Sequence, residues 1–218
     1  MVSLGLSLPS DVQVVTQTDS LPTLYSFARF DRSARVRWLL YELGVPYHEV
    51  VLDHAKGEHQ QPHFVARNPF ALVPVWEDGE LVLHESGAII LHLLANTPAH
   101  ELLPNDKLGR SRCMSYLMFG LSTLDAAVSQ VFVTKNQAGT AVVKLKRLLQ
   151  ALDTELVGQD YLVGHSFTVA DIVVGQLLGL LDRRDQLAGF DNLEYYLTRL
   201  KQRSAAAKAE VFTADVNA

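Results

Sequence analysis

The sequence predicts an α/β domain followed by an all-α domain, and three observations carry that prediction. Residues 21–52 read as strand, helix, strand; residues 68–95 read as strand, two-residue turn, strand, helix. Beyond Asn105 no stretch alternates apolar and polar residues as a strand would, whereas apolar residues recur there at helical spacing. A chain of 218 residues with 48% hydrophobic content holds enough apolar mass for a real core in one large domain or two small ones.

Composition excludes several classes. The formal net charge is −5 and the basic residues are dispersed, which argues against nucleic acid as a partner. One cysteine rules out an intrachain disulfide and a cysteine-only metal site, and suits a reducing compartment. Residues 1–20 contain apolar stretches, but Gly5, Pro9 and Asp11 interrupt them and no basic leader precedes them. The longest apolar runs fall short of a membrane span. The expectation is a soluble, cytoplasmic protein whose residues 1–20 form a poorly ordered extension.

Leu21 to Phe27 is the first strand. Asp31 or Ser33 opens a helix with Val36, Leu39, Leu40 and Leu43 at helical spacing, and Gly44 ends it with Pro46 just beyond. Tyr47 to Leu52 is a second strand, parallel to the first because a crossover helix joins them. Asp53 to Arg67 is a polar loop with a short helix. Val73 to Glu77 and Leu81 to His84 pair across Asp78-Gly79, the strongest two-residue hairpin signal in the chain. Glu85-Ser86 then opens an apolar run, Ala88 to Ala95, whose one polar side chain is His92, so a largely buried helix is expected.

The first domain is thus placed at 21–97, a Pro-punctuated linker at 98–106, and the helical domain at 107–218. One long helix spans Lys107 to about Lys135, with Tyr116, Leu117, Gly120, Leu121, Leu124 and Val128 on one face. Another runs from about Gln137 to Leu156. Gly158 and Gly164 bracket a loop, and Thr168 with Asp171 three residues on forms a capping box, stapled by Phe167 and Ile172. Leu193 to Lys201 is the last helix, and the Ala/Lys-rich tail is expected to fray.

The chemistry centres on Glu85-Ser86. A helix start presents unpaired N–H groups and a partial positive charge to a carboxylate, a serine hydroxyl adds a donor, and a neighbouring carboxylate accepts from an ammonium. The pair could therefore hold both ends of an amino-acid head group. The plain alternative is an ordinary capped helix start. Cys113 reads as a helix-packing residue. His59 and His63 stand at i, i+4 without an apparent third ligand, so no metal is expected. Met114, Tyr116, Met118 and Phe119 read equally as core or as the wall of an apolar pocket.

Three segments together carry a resemblance: NPFALVPVWEDGELVLHESGAI, ARVRWLLYELGVPYHEVVLD and FTVADI. In that order and at those separations the chain resembles the glutathione S-transferase family over about residues 21–205. The resemblance implies a thioredoxin-like first domain, glutathione as co-substrate, a small hydrophobic electrophile as acceptor, and a homodimer. It implies that Glu85 and Ser86 hold the γ-glutamyl group, and that Val73, before a cis Pro74, pairs with the cysteinyl backbone. It also implies that His59 with Gln60 or Lys56 reaches the glycine carboxylate. Leu72 stands where many relatives carry Gln or Lys.

The thiol activator is left open by the same resemblance. A serine-type alignment places the hydroxyl at position 30, which is Phe30; a tyrosine-type alignment lands on Ser26, beside Tyr25. Ser33 is the remaining hydroxyl at the helix start and a backbone N–H is a further candidate donor, with Arg32 or Arg29 as a source of positive charge. Strand neighbours point to opposite sides, so Tyr25 could face the core. The expected activity is conjugation of glutathione thiolate to hydrophobic electrophiles, or reduction of a peroxide or disulfide. The rivals are a non-catalytic glutathione-binding or protein-interaction module and a protein that sequesters apolar ligands.

Overall fold

The structure, a computed structural model, describes residues 21–27, 31–98, 100–133 and 139–213; the expectations for residues 1–20, for Arg29 and Phe30, for the helix ends at Lys135 and Gln137, and for residues 214–218 lie outside them. A four-stranded sheet has the order β2-β1-β3-β4, built from β1 (Thr23–Ser26), β2 (His48–Val51), β3 (Val75–Asp78) and β4 (Leu81–His84). β1 and β2 are parallel, as their crossover helix α1 (Ser33–Leu43) requires, and the other pairings are antiparallel. Gly44 ends α1 in the left-handed conformation at φ 66°.

The expected hairpin is present with its register moved by one residue. Asp78 pairs with Leu81, so the two turn residues are Gly79-Glu80, and Gly79 takes a φ of 59° at the first turn position. The third strand also begins later than the apolar run. Pro74 has no N–H to donate, and the ladder to β1 starts at Val75, opposite Tyr25. The Val73–Pro74 peptide is cis.

The two faces of the sheet are covered unequally. Leu24 and Trp76, opposite each other on β1 and β3, face α1 and α3 (Ser86–Asn96) and belong to the main core. On the other face Val75 and Leu52 pack with Phe64 of the short α2 (Pro62–Val65), with Tyr25 edge-on to Phe64 at 5.8 Å. From Ser33 to Leu40 every residue of α1 is buried, because this helix lies between the sheet and the helical half.

That half consists of α4 (Lys107–Met118), a π-helical segment Phe119–Leu124, α5 (Asp125–Val133), α6 (Thr140–Glu155), α7 (Val169–Asp182), α8 (Asp191–Lys201) and α9 (Ser204–Lys208). The single long helix expected from Lys107 onward therefore carries a π segment in its middle. The capping box at Thr168 is formed, and Asp171 also accepts from the Leu162 N–H and the Tyr196 hydroxyl, at 2.9 and 2.8 Å. Cys113 is fully buried, and burial raises its thiol pKa, as suits a packing residue.

Two expectations are corrected. The tail does not fray over its described residues, 202–213: Ala205, Ala206, Ala209 and Val211 are buried, and α9 packs on α1 because alanine lets the two backbones approach. Helix α3 is not largely buried, since Leu91 is 44% exposed and Ala88 and Ala95 are exposed beside it.

Glycine at 120 fixes how the long helix crosses α7. A Cβ there would sit 2.9 Å from Val173 Cγ1 and 3.2 Å from Val174 Cγ2, both on buried residues. Gly120→Ala is expected to cost about 1–3 kcal/mol of stability through overpacking, read as a lower midpoint in urea.

Candidate active site

A cleft runs between the sheet domain and the long helix as two adjoining cavities. The first, about 300 Å³, is lined by Asn68, Phe70, Pro74, Glu85, Ser86 and Leu121; the second, about 230 Å³, by Phe27, Asp31, Val128, Phe132, Leu177 and Leu180 among others. Arg32, Leu72, Val73 and Asp125 line both and so mark their junction.

The first cavity brings together Val73, Pro74, Glu85 and Ser86. Ser86 is the first residue of α3 and is almost fully buried, with the orphan N–H groups of the helix start beside it. Glu85 is exposed at φ 71°, ψ 118°, a region a non-glycine residue enters at a cost of order 1–3 kcal/mol. Such strain is characteristic of ligand-holding positions, and here it presents a carboxylate directly ahead of a helix N-terminus. The loop opposite is held by Asn68, 2% exposed, whose Nδ2 donates to the Leu72 carbonyl at 2.8 Å and whose Oδ1 accepts from the Phe70 N–H at 3.1 Å.

At the junction, two arginines of the first domain share one carboxylate of the second. Arg32 donates to both oxygens of Asp125, while Arg35 donates to Asp125 Oδ2 at 2.7 Å and to Gln176 Oε1 at 2.8 Å. The side chain of Arg35 is 1% exposed and that of Arg32 is 54% exposed. Burial pushes the Asp125 carboxyl up, but the hydrogen bonds from Arg32 and the charge of Arg35 outweigh it and leave it below the ordinary aspartate range. The outcome is a guanidinium fixed at one edge and open to the cleft at the other. Asp31 caps the start of α1, accepting from the Phe27 N–H at 2.7 Å and from the Ser33 N–H.

The other expected site residues stand elsewhere. Ser26 is fully buried on the α1 side of the sheet and donates to Glu49 Oε1 at 2.8 Å, within the Arg37–Glu49 ion pair. Tyr25 lies on the opposite face and donates to Glu77 Oε2 at 2.6 Å; burial and that bond raise its pKa. Neither lines a cavity of the cleft. Ser33 has a buried hydroxyl with no hydrogen-bond partner and does not line the cleft either.

His59 and Gln60 are likewise absent from both linings. His59 stacks on His54 at 4.7 Å, and Phe27, which lines the second cavity, meets both rings edge-on at 5.0 Å. Lys56 is exposed and paired with Asp53 at 2.8 Å. Among the described residues no group of three or more His, Cys, Asp or Glu side chains is arranged to hold a metal, and no helix is long and apolar enough to cross a membrane.

Sequence reasoning missed Asp125, Gln176 and Asn68. The signal for Asp125 is that it is the one charged residue in FGLSTLDAAVSQVFV, and for Gln176 that it is the one polar side chain in IVVGQLLGLL; in a buried helix each demands a partner. Met114, Tyr116, Met118 and Phe119 do not line the cleft; Val128 and Phe132, further along the same helical run, do.

A mixed sheet whose cis-proline edge and helix start face an all-α half across a partly apolar cleft defines a two-domain protein with a thioredoxin-like first half. Residues 22–95 match the family profile described as Glutathione S-transferase, N-terminal domain, and residues 117–204 match Glutathione S-transferase, C-terminal domain. The chain is 29% identical over 182 residues to glutathione S-transferase D7 of Drosophila melanogaster, covering 80% of this chain and 81% of that one. It is 31% identical over 188 residues to the probable glutathione S-transferase GSTF2 of Oryza sativa subsp. japonica, covering 78% and 86%. The theta class glutathione S-transferase of Xanthomonas axonopodis pv. citri, solved with glutathione bound, superposes with a TM-score of 0.78 at 27% identity, over 89% of this chain and 99% of that one. With both halves matched in order along nearly whole chains, the chain belongs to the glutathione S-transferase family and is an enzyme of that type.

Proposed function

We propose that this chain binds glutathione in the first cavity and joins its sulfur to a hydrophobic electrophile held in the second. The observation that carries the reading is the cleft itself: a head-group site at Glu85-Ser86 and an apolar chamber meet at one guanidinium, Arg32. Glu85 faces the γ-glutamyl ammonium, and Ser86 with the α3 N-terminus receives its carboxylate. Val73 offers its backbone to the cysteinyl residue.

The sulfur then falls at the junction. A free thiol with a pKa near 8.5 is mostly protonated at neutral pH, and a fixed positive charge beside it favours the thiolate. Arg32 supplies that charge. Ser26 and Tyr25, the hydroxyls favoured by alignment, have the less direct claim because both donate to carboxylates away from the cleft. The chain's contribution is thiolate stabilisation and alignment of two reactants. The same thiolate could reduce a peroxide or disulfide, but the apolar walls formed by Val128, Phe132, Leu177 and Leu180 favour an apolar carbon electrophile.

The wider reading rests on the same features. It places a glutathione-binding unit at 21–97, a linker at 98–106 and a helical unit at 107–218, in a cytoplasmic detoxification enzyme. The exposed Leu91, Ala88 and Ala95 of α3 suit an apolar self-association face in a homodimer.

The test is calorimetric. Ser86→Ala is expected to weaken glutathione binding by roughly 1–3 kcal/mol, the scale for losing a hydrogen bond to a charged group. Unchanged affinity would remove glutathione from this cavity.

A further inference from the structure

From the proposed reading of the cleft, on which this rests, we infer that Gln176 selects the acceptor: its side-chain N–H groups receive a carbonyl oxygen standing beside the reactive carbon of the electrophile. Gln176, on α7, is 3% exposed, and its amide is held from one side only. Its Oε1 accepts from Arg35 Nε at 3.2 Å and from Arg35 Nη2 at 2.8 Å. Two N–H donors on one oxygen fix which way round the amide lies, since the reverse would set N–H against N–H. The amide –NH2 is therefore left as a donor, and it has no acceptor among the described residues. That nitrogen is not sealed inside the protein, and Gln176 lines the second cavity.

The place of this donor decides what it reads. Val128, Phe132, Leu177 and Leu180 make the walls of the cavity apolar, and its other neutral polar side chain, Ser129, already donates to Asp125 at 3.3 Å. A few placed polar groups in an apolar pocket fix the orientation of a ligand. Arg35 joins Gln176 to Asp125, the carboxylate it shares with Arg32, so the donor lies one side chain from the junction where the sulfur falls. An oxygen that meets it there belongs close to the electrophilic carbon. The substrate class is an apolar carbonyl compound with a leaving group on the carbon next to the carbonyl. The proton of the thiol has gone to solvent, and the thiolate forms the C–S bond while the bond to the leaving group breaks and its electron pair departs with that group. The carbonyl keeps its place on Gln176 throughout. An analogue without the carbonyl leaves a nearly buried donor unmatched, which is where a polar site discriminates most.

The experiment measures dissociation constants by calorimetry on the full chain for two product-like probes, S-phenacylglutathione and S-(2-phenylethyl)glutathione, which differ by the carbonyl alone. The phenacyl conjugate is expected to bind tighter by about fivefold or more, the scale of one neutral hydrogen bond. In Gln176→Glu that preference is expected to fall below about twofold, because a carboxylate keeps two acceptors for Arg35 and offers the carbonyl no donor. Gln176→Met, which removes the donor without adding a charge, is read in the same way should the first variant not fold. A wild-type preference below about fivefold overturns the inference and leaves the two-cavity reading standing. A preference of about twofold or more in the variant overturns the assignment to Gln176. Failure of both probes to bind overturns the reading of the cleft, and this inference with it.

Discussion

Asp125→Ala is expected to lower the stability of the chain by about 3–5 kcal/mol, the cost of removing one partner from a buried ion pair. The loss falls on Arg35, whose side chain is 1% exposed and would keep Gln176 as its one side-chain acceptor among the described residues. Denaturant titration of wild type and variant measures it. The pH dependence has a definite sign. Burial raises the Asp125 carboxyl, the arginines lower it by more, and the net folded-state value lies below the unfolded one. Its contribution is therefore fully present above the ordinary aspartate pKa of about 3.9 and is lost as pH falls through the folded value. The gap between wild type and Asp125→Ala should stay constant from neutral pH down to about 5 and close in stronger acid. A gap that holds its size throughout would mean that packing, not charge, was removed.

Arg32→Ala is expected to do the reverse, sparing the fold and removing the activity. Asp125 and Arg35 remain paired without it, and the side chain is 54% exposed, so the stability change should stay below about 1 kcal/mol. The rate constant kcat/KM for conjugation of glutathione should fall by about 10²–10³, the scale for deleting one preorganised electrostatic group. The ultraviolet absorbance of bound thiolate should appear at higher pH than in the wild type. Arg32→Lys should recover part of the rate, since it keeps the charge and loses the forked geometry. Full activity in Arg32→Ala would reduce Arg32 to a clasp between the two halves.

These two side chains mark the reach of a sequence reading. The alternation of strand and helix before residue 97 is local, set by apolar period and by Gly44 and Gly79, and the structure keeps it. The Thr168–Asp171 cap is local too, and it forms as expected. Long-range partners are not legible in this way. Alignment favours Ser26, yet what decides its accessibility is Glu49 and Arg37, brought to the same face by β-pairing and by α1. Asp125 lies ninety residues from Arg35 in sequence and meets it only after the helical half has packed against α1. The tail misleads because small residues carry a weak burial signal on their own; Ala205 and Ala206 are buried by the surface that α1 offers them.

The π-helical segment Phe119–Leu124 sets the phase of the helix beyond it. An α-helix turns about 100° per residue, and a π turn holds one residue more than an α turn. Deleting a single residue there would let the segment tighten to α geometry while leaving the helix beyond it in nearly the same phase, so the 125 carboxylate keeps its bearing toward Arg35. The shaft would still fit its neighbours at Cys113, and the first half would keep its latch. A one-residue shortening can therefore be absorbed in the middle of that shaft, whereas the same deletion in the regular turns of α4 would rotate everything beyond it by about 100° against what precedes it.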